Sequence, residues 1–404
     1  GQLLDGVPLA EATTSVFDLA VRVASGERTA GERAGHSQVS IWRAWRRGAP
    51  AAEPRGIALT ARERPELDGV PLPITGAVAR SDLRWSAVDG ATDRIGLILP
   101  TSICSGQIAL RIAGVLTERL GTDAVSRYVA LPHTEGCGAI TSSAEDLWGR
   151  IALGCLSHPS VGAALLLEHG CEITHNDFFR GRLRDAGLDV DRFGWASIQA
   201  DGGIDAVTER VTEWFGPALG GLTPWTEQPA GLDRLRVGLH ALGDVDDRSA
   251  AAYGAVAAAI GATGGTVVVS EPSPLWRSSV FCSRLGIDRE PPATIAHAQV
   301  ATPGLQVMET PGASWMETAT GLAASGSELI AVHVADAAVA GHRLVPVLQT
   351  AAGAVADVDV VPLADGEELL RALLDVASRR RTPIVSGEGL TGFQVTRGLL
   401  GVSI

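Results

Sequence analysis

Short, almost continuously apolar runs recur along the chain: RIGLILP at 94–100, SRYVALP at 126–132, VGAALLLE at 161–168, RLRVGLHAL at 234–242, GTVVVSEP at 265–272, LQVMETPG at 305–312 and ELIAVHVAD at 328–336. Turn residues or polar clusters close each run. A strand that is apolar on both faces needs cover on both, which is the condition of a parallel sheet rather than of a half-solvated antiparallel one. Helical stretches lie between the runs: SGQIALRIAGVLTERL at 105–120, AEDLWGRIALGCL at 144–156 and AAAYGAVAAAIGA at 250–262. Strand alternating with helix specifies an α/β architecture with crossover helices.

The pattern predicts two Rossmann-like parallel-sheet α/β domains, at 93–220 and 233–404, divided by the Gly- and Pro-rich FGPALGGLTPWTEQPAGLD at 215–233. An internal repeat adds a third feature. VASGERT at 23–29 and VASRRRT at 376–382 each follow an amphipathic stretch and precede a Gly-containing segment. Residues 1–52 therefore read as a tail-like repeat of 355–404, with 53–92 as a connecting segment. The absence of an initiator Met fits a processed or truncated start.

Composition prunes the functions. With 404 residues, 46% of them hydrophobic, the chain can bury large cores. A net charge of -13 offers no electrostatic footprint for nucleic acid or an anionic membrane. No apolar run reaches the roughly 18–20 residues that span a bilayer, and no secretory signal opens the chain, so a cytoplasmic location is expected. Lysine is absent and all 33 basic residues are arginine. Schiff-base catalysis by lysine and a lysine-bearing phosphate loop are thereby excluded. Five cysteines without regular spacing do not form a disulfide framework and are expected to be reduced thiols.

In open parallel sheets ligands bind at the carboxyl edge of the strands, beside helix N-termini. Three such edges carry cysteine: PTSICSGQ at 100–107, LPHTEGCG at 131–138 and LEHGCEITHND at 167–177. If their strands are neighbours, Cys104, Cys137 and Cys171 converge. Thiolates favour iron, zinc or an iron–sulfur cluster, and the accompanying His133, Glu135, His169, His175 and Asp177 suit a mononuclear Fe(II), Mn(II) or Zn site. Cys155, Cys282 and His158 read as buried structural residues.

The segments PTSICSGQIALRIA, HTEGCG, HPSVGAALLLEHGCEITHND, GWASIQADGG and METPGASWMETATGLAASGSELIAV are similar to the altronate and galactarate dehydratase family of sugar-acid hydro-lyases. HTEGCG together with EHGCEITHND is the specific part, and the VASGERT tails resemble the family's C-terminal signature. The resemblance implies metal-assisted dehydration of a polyhydroxy (aldonic or aldaric) acid to a 2-keto-3-deoxy acid, with iron or manganese as the ion. Departures accompany the matches. Ile173 stands where the family tends to place a basic residue, and ADAAVAGHRLVPVL at 335–348 lacks the Gly-Thr-Pro loop. LHALGDVDDRSA at 239–250 replaces a Gly-Ser-Asp-Gly-type loop. These changes fit a subgroup with another substrate, a carbon–sulfur lyase acting on a sulfonated hydroxy acid, or a non-catalytic paralogue.

Eliminating water from a 2,3-dihydroxy acid requires a base for the proton alpha to the carboxylate, a Lewis acid for the departing hydroxide and a cationic anchor. With lysine absent, the base is a His, Glu or Asp, with His175 or His133 favoured and Glu135 and Asp177 beside them. Cys137 and Cys171, joined by Cys104 or His169, are the expected metal ligands. The anchor is Arg180, Arg182 or the free N–H groups of the helix that follows Ser105. The expected partners are a small hydroxy acid and further copies of the chain in a homo-oligomer, without nucleic acid or membrane.

Overall fold

The computed structural model describes residues 67, 69–75, 80–136, 142–312 and 314–395, which fall in one compact unit. The tail-like segment at 1–52, residues 53–66, 68 and 76–79 of the connecting segment and Cys137 lie outside the described residues. After a short strand β1 (Trp85–Val88), the first domain runs β2 (Ile95–Pro100), α1 (Ile103–Leu120), β3 (Tyr128–Ala130), α2 (Ser142–Leu156), β4 (Val161–Glu168), α3 (Asn176–Asp185), β5 (Gly194–Ser197) and α4 (Ile204–Gly220). Strand β6 (Glu227–Ala230) returns antiparallel to β1. The second domain runs β7 (Arg236–Leu242), α5 (Asp247–Thr263), β8 (Thr266–Ser270), α6 (Ser279–Leu285), β9 (Gly304–Met308), α7 (Trp315–Ala324) and β10 (Leu329–Val334). It closes with β11 (Gly341–His342), β12 (Val347–Thr350), α8 (Gly366–Ala377), α9 (Ile384–Gly387) and β13 (Thr391–Gly392).

Both main sheets are parallel, as near-continuous apolarity requires. The first has the order β3-β2-β4-β5, with Leu97 opposite Val129 and Ala164; the second has the order β12-β10-β7-β8-β9, with Leu239 opposite Val269 and Ala331. Side chains leave a strand alternately to its two faces, so each sheet feeds two cores. Ile98, Leu165 and Leu167 pack against Ile112 and Leu116 of α1 and Val211 and Phe215 of α4. Leu97, Leu99 and Leu166 face the other way, into a core shared with Ile330 and Val332 of the second sheet and with the helices α2 and α7. The far face of the second sheet, with Val237, Leu239 and Val269, packs on α5 and α8. Helices α2 and α7 meet closely: a Cβ on Gly154 would overlap the carbonyl oxygen of Ala324. Only glycine lets the backbones approach that far.

Two details differ from the sequence pattern. The stretch proposed as a divider starts inside α4, because FGPALG still adds a turn, with Pro217 in its last residues. Proline costs least near a helix end, where few hydrogen bonds remain to be broken. Strands β5 (GWAS) and β12 (VLQT) were not marked by long apolar runs; each is the last strand at its sheet edge, and β12 has only a single further bridge, Thr350 to Val360. Among the described residues no helix is long and apolar enough to cross a membrane.

Candidate functional site at the carboxyl edge of the first sheet

Because β2, β3 and β4 are adjacent, the loops that follow them meet at one edge. Their organising group is the carboxylate of Glu172, which is 3% exposed. Its Oε1 accepts from Thr101 Oγ1 at 2.6 Å, Ser102 Oγ at 3.1 Å and the His169 N–H at 2.8 Å. Its Oε2 accepts from the Gly170 and Cys171 N–H groups at 2.8 and 2.9 Å. Burial by itself pushes the carboxyl up, but the Thr101 hydroxyl and the backbone N–H groups outweigh it and hold it down at about 2. The chain turns back on itself at Gly170, whose φ of 114° disfavours any side chain. A Cβ there would also press on Gln199.

This knot turns His169 and Cys171 outward. His169 Nδ1 lies 3.3 Å from Cys171 Sγ and 3.3 Å from Gln199 Nε2. His169 Nδ1 or Nε2, Cys171 Sγ and a Glu172 oxygen all fall within 4.8 Å of one another. Imidazole and thiolate suit a soft divalent ion, so the donor chemistry fits a metal. Glu172 is already committed by five donors, which among the described residues of this cluster leaves His169 and Cys171 as the groups able to hold an ion. Cys104 is exposed on the first turn of α1.

The histidines proposed as bases are placed differently from one another. His133 is 4% exposed and packs on Trp148, with ring centroids 4.4 Å apart. Its Nε2 lies 2.8 Å from the Pro100 carbonyl oxygen, and its Nδ1 accepts from the Glu135 N–H at 3.1 Å. A neutral ring with its proton on Nε2 satisfies both, so the imidazole ties the end of β2 to the loop after β3. The carbonyl of the buried Glu135 accepts from the Ile103 N–H at 2.6 Å, joining that loop to α1. Ser105 is likewise sealed, its hydroxyl donating to the Ser102 carbonyl at 3.0 Å.

His175 is exposed and caps α3, its Nδ1 accepting from the Asp177 N–H at 3.1 Å. It borders a cavity of about 220 Å³ with Glu168, Asp177, Arg180, Ser197 and Arg210. Arg180 lies over the Trp195 ring at 4.4 Å and pairs with Asp177 at 2.7 Å. The Arg180 hydrogen bond holds the Asp177 carboxyl below its usual range. Glu168 accepts from the Asn176 N–H through Oε2 at 2.6 Å. Arg182 points elsewhere, to Asp146 of α2 and over the Phe178 ring. The structure thus brings together His175, Asp177 and Arg180 around one cavity, and His169 with Cys171 beside it in the same loop, while His133, Glu135 and Ser105 are buried and Arg182 turns toward α2.

The sequence that builds this edge matches a protein-family model. Residues 94–219 match the family model described as D-galactarate dehydratase/Altronate hydrolase, second domain. That stretch is the first parallel-sheet domain, and the match supports, at the level of the family, the resemblance carried by HTEGCG and EHGCEITHND. A dehydratase or hydrolase activity is the class to which that family points. No curated protein matches the chain.

Sequence reasoning gave no role to several groups here. Thr101, Ser102 and Glu172 organise the loop, and Glu168, Ser197 and Arg210 line the cavity. Their signal was faint but present: Glu172 follows Cys171 directly, and Ser197 and Gln199 lie inside GWASIQADGG.

Proposed function

We propose that the chain is a hydro-lyase that removes water from an aldonic or aldaric acid to give a 2-keto-3-deoxy acid, and that the reaction takes place at the carboxyl edge of the first sheet. The observation that carries this reading is the joint presentation of His169 and Cys171 by the Glu172-centred loop, next to a cavity lined by Arg180, Arg210 and Glu168, within the domain that matches the dehydratase family.

Arg180 anchors the substrate carboxylate. Stacked on Trp195, its guanidinium is pre-oriented and still has donors beyond the one given to Asp177. Glu168 is the base: Oε2 is held by Asn176, which fixes the carboxylate with Oε1 available for the proton alpha to the substrate carboxylate. His175 has its Nδ1 lone pair occupied as a helix cap, so the neutral ring presents Nε2–H and serves as a hydrogen-bond donor to a substrate hydroxyl rather than as the base. A divalent ion, Fe(II) or Mn(II), held by His169 and Cys171 would supply Lewis acidity toward a substrate oxygen. In the elimination Glu168 takes the Cα proton, the Cα–H electron pair forms the Cα–Cβ double bond, the Cβ–O bond breaks, and hydroxide leaves as water with the proton that Glu168 gives back or that solvent supplies as Glu168 releases its own. The resulting enol tautomerises to the keto acid.

A panel of aldonic, aldaric and sulfonated hydroxy acids, read as keto-acid and sulfite release, tests the proposal. Keto-acid release from a sugar acid that falls at least about a hundredfold in Glu168→Gln is expected. Sulfite release would reassign the leaving group, and thermal stabilisation by a sugar acid without turnover would make the chain a binder.

A further inference from the structure

A larger cavity, about 620 Å³, lies away from the strand edge, between the flank of α1 with the start of β3 on one side and the end of the second domain on the other. Four arginines line it, Arg127, Arg343, Arg379 and Arg381, against a single aspartate, Asp93. In a chain of net charge -13 this is a concentrated reversal of sign, and a concave wall focuses such a field. Arg379 and Arg381 belong to VASRRRT, the repeat motif that the strand-edge chemistry leaves unused.

The arginines are not equally occupied. Arg127 pairs with Asp93 and donates to the Leu344 carbonyl at 3.1 Å. Arg379 donates to the Thr92 and Ser86 carbonyls and pairs with Glu227 at 2.9 Å. Arg381 gives one donor to the Asp359 carbonyl. Arg343 is half-buried, and among the described residues no acceptor receives its guanidinium; burial alone lowers its affinity for the proton. A guanidinium carries five N–H donors, so Arg343 and Arg381 hold most of theirs in reserve. Two neutral donors add to this. Tyr128 is 8% exposed and its hydroxyl has no hydrogen-bond partner, and neither has the buried hydroxyl of Ser386; both residues line the cavity. Buried hydroxyls without partners are costly unless a ligand satisfies them, and a half-buried guanidinium with no protein acceptor among the described residues is a ready partner for an anion. On the opposite wall Ala113 and Gly114 leave the α1 surface bare, which makes room for a ligand body.

We propose that this cavity binds a small multivalent oxyanion, a phosphate ester or a polycarboxylate, with Arg343 and Arg381 as its principal charge partners and Tyr128 as a further donor. The inference is independent of the reaction assigned to the strand edge. Calorimetric titration of the full chain with pyrophosphate and with citrate, at fixed ionic strength, tests it. Either anion is expected to bind with an affinity that falls at least about tenfold in Arg343→Met and a few-fold in Tyr128→Phe, and that is unchanged in Arg180→Ala. The tighter of the two anions identifies which source of oxyanion the cavity takes. Because Arg343 has no partner to lose, Arg343→Met is also expected to melt at the same or a higher temperature without ligand. That result separates a binding role from a structural one. Absence of binding by both anions, or binding that is lost in Arg180→Ala and kept in Arg343→Met, overturns the proposal.

Discussion

The two parallel sheets end in the same way geometrically, yet their carboxyl edges are finished differently. At the first edge a buried carboxylate collects the loop N–H groups and turns His169 and Cys171 to solvent. At the second edge the polar side chains satisfy one another inside. His240 Nδ1 lies 2.5 Å from Ser270 Oγ, its ring stacks on Trp315, and Ser273 Oγ accepts from the Ala241 N–H. Burial pushes the His240 imidazole down to about 4. A strand edge becomes a reactive site only when something else satisfies its backbone, so that side chains with chemistry are left over. Glu172 does this for three consecutive loop N–H groups at the first edge, whereas at the second the Ser273 hydroxyl takes the Ala241 N–H, and His240, Ser270 and Ser273 stay buried.

The largest effect should come from removing that group. Glu172→Ala strands three loop N–H groups and two hydroxyls, and is expected to cost about 3 kcal/mol or more in urea unfolding, with loss of turnover. Glu172→Gln keeps the shape and loses the charge, and should cost less. The pH dependence follows from a carboxyl held near 2 in the fold against about 4.5 unfolded. Its stabilisation is complete above pH 4.5 and is lost as pH falls toward 2, by about 3 kcal/mol in total. An Ala variant as stable as the parent would remove Glu172 as the organiser of this edge.

The second edge should fail earlier in acid. His240, pushed by burial from about 6.5 to about 4, resists protonation in the fold, whereas the unfolded chain takes up the proton first. Stability from this residue is therefore intact above pH 6.5 and falls toward pH 4, by about 3 kcal/mol. Buried His158, His297 and His342 are shifted the same way, to about 4, 3 and 3. Comparing the parent with His240→Leu isolates one of them: the stability difference measured at pH 8 should move by about 3 kcal/mol in favour of the variant at pH 4. A difference independent of pH would mean that His240 is reached by water.

The parallel sheets were legible because their strands are apolar on both faces, and VGAALLLE even keeps its limits of 161–168 in the structure. Edge strands β5 and β12 were not, since four residues carry little pattern. Cysteine and histidine loops could be placed at strand ends, and those after β2 and β4 do share an edge. What spacing cannot reveal is which way a side chain leaves the backbone. His133 and His175 look alike in sequence, but one is fixed between Pro100 and Glu135 and the other caps a helix beside a cavity. Arg180 and Arg182 are two residues apart, which on a helix puts them on different faces, toward Trp195 and toward Asp146.

The smallest effect on stability sharpens the contrast most. His169 is half-buried and Cys171 exposed, and neither carries the loop's backbone, so His169→Ala and Cys171→Ser should each change unfolding stability by less than about 1 kcal/mol. The same substitutions should remove about one iron or manganese per chain from protein purified without oxygen, and abolish turnover. Acid-labile sulfide in stoichiometric amount would replace a mononuclear ion with a cluster. If Cys171→Ser instead unfolds the domain as Glu172→Ala does, while metal content stays as in the parent, then the thiol belongs to the frame. The first edge would then differ from the second only in how deeply its polar groups are buried, and the chemistry would have to be sought around Arg180 and Glu168 alone.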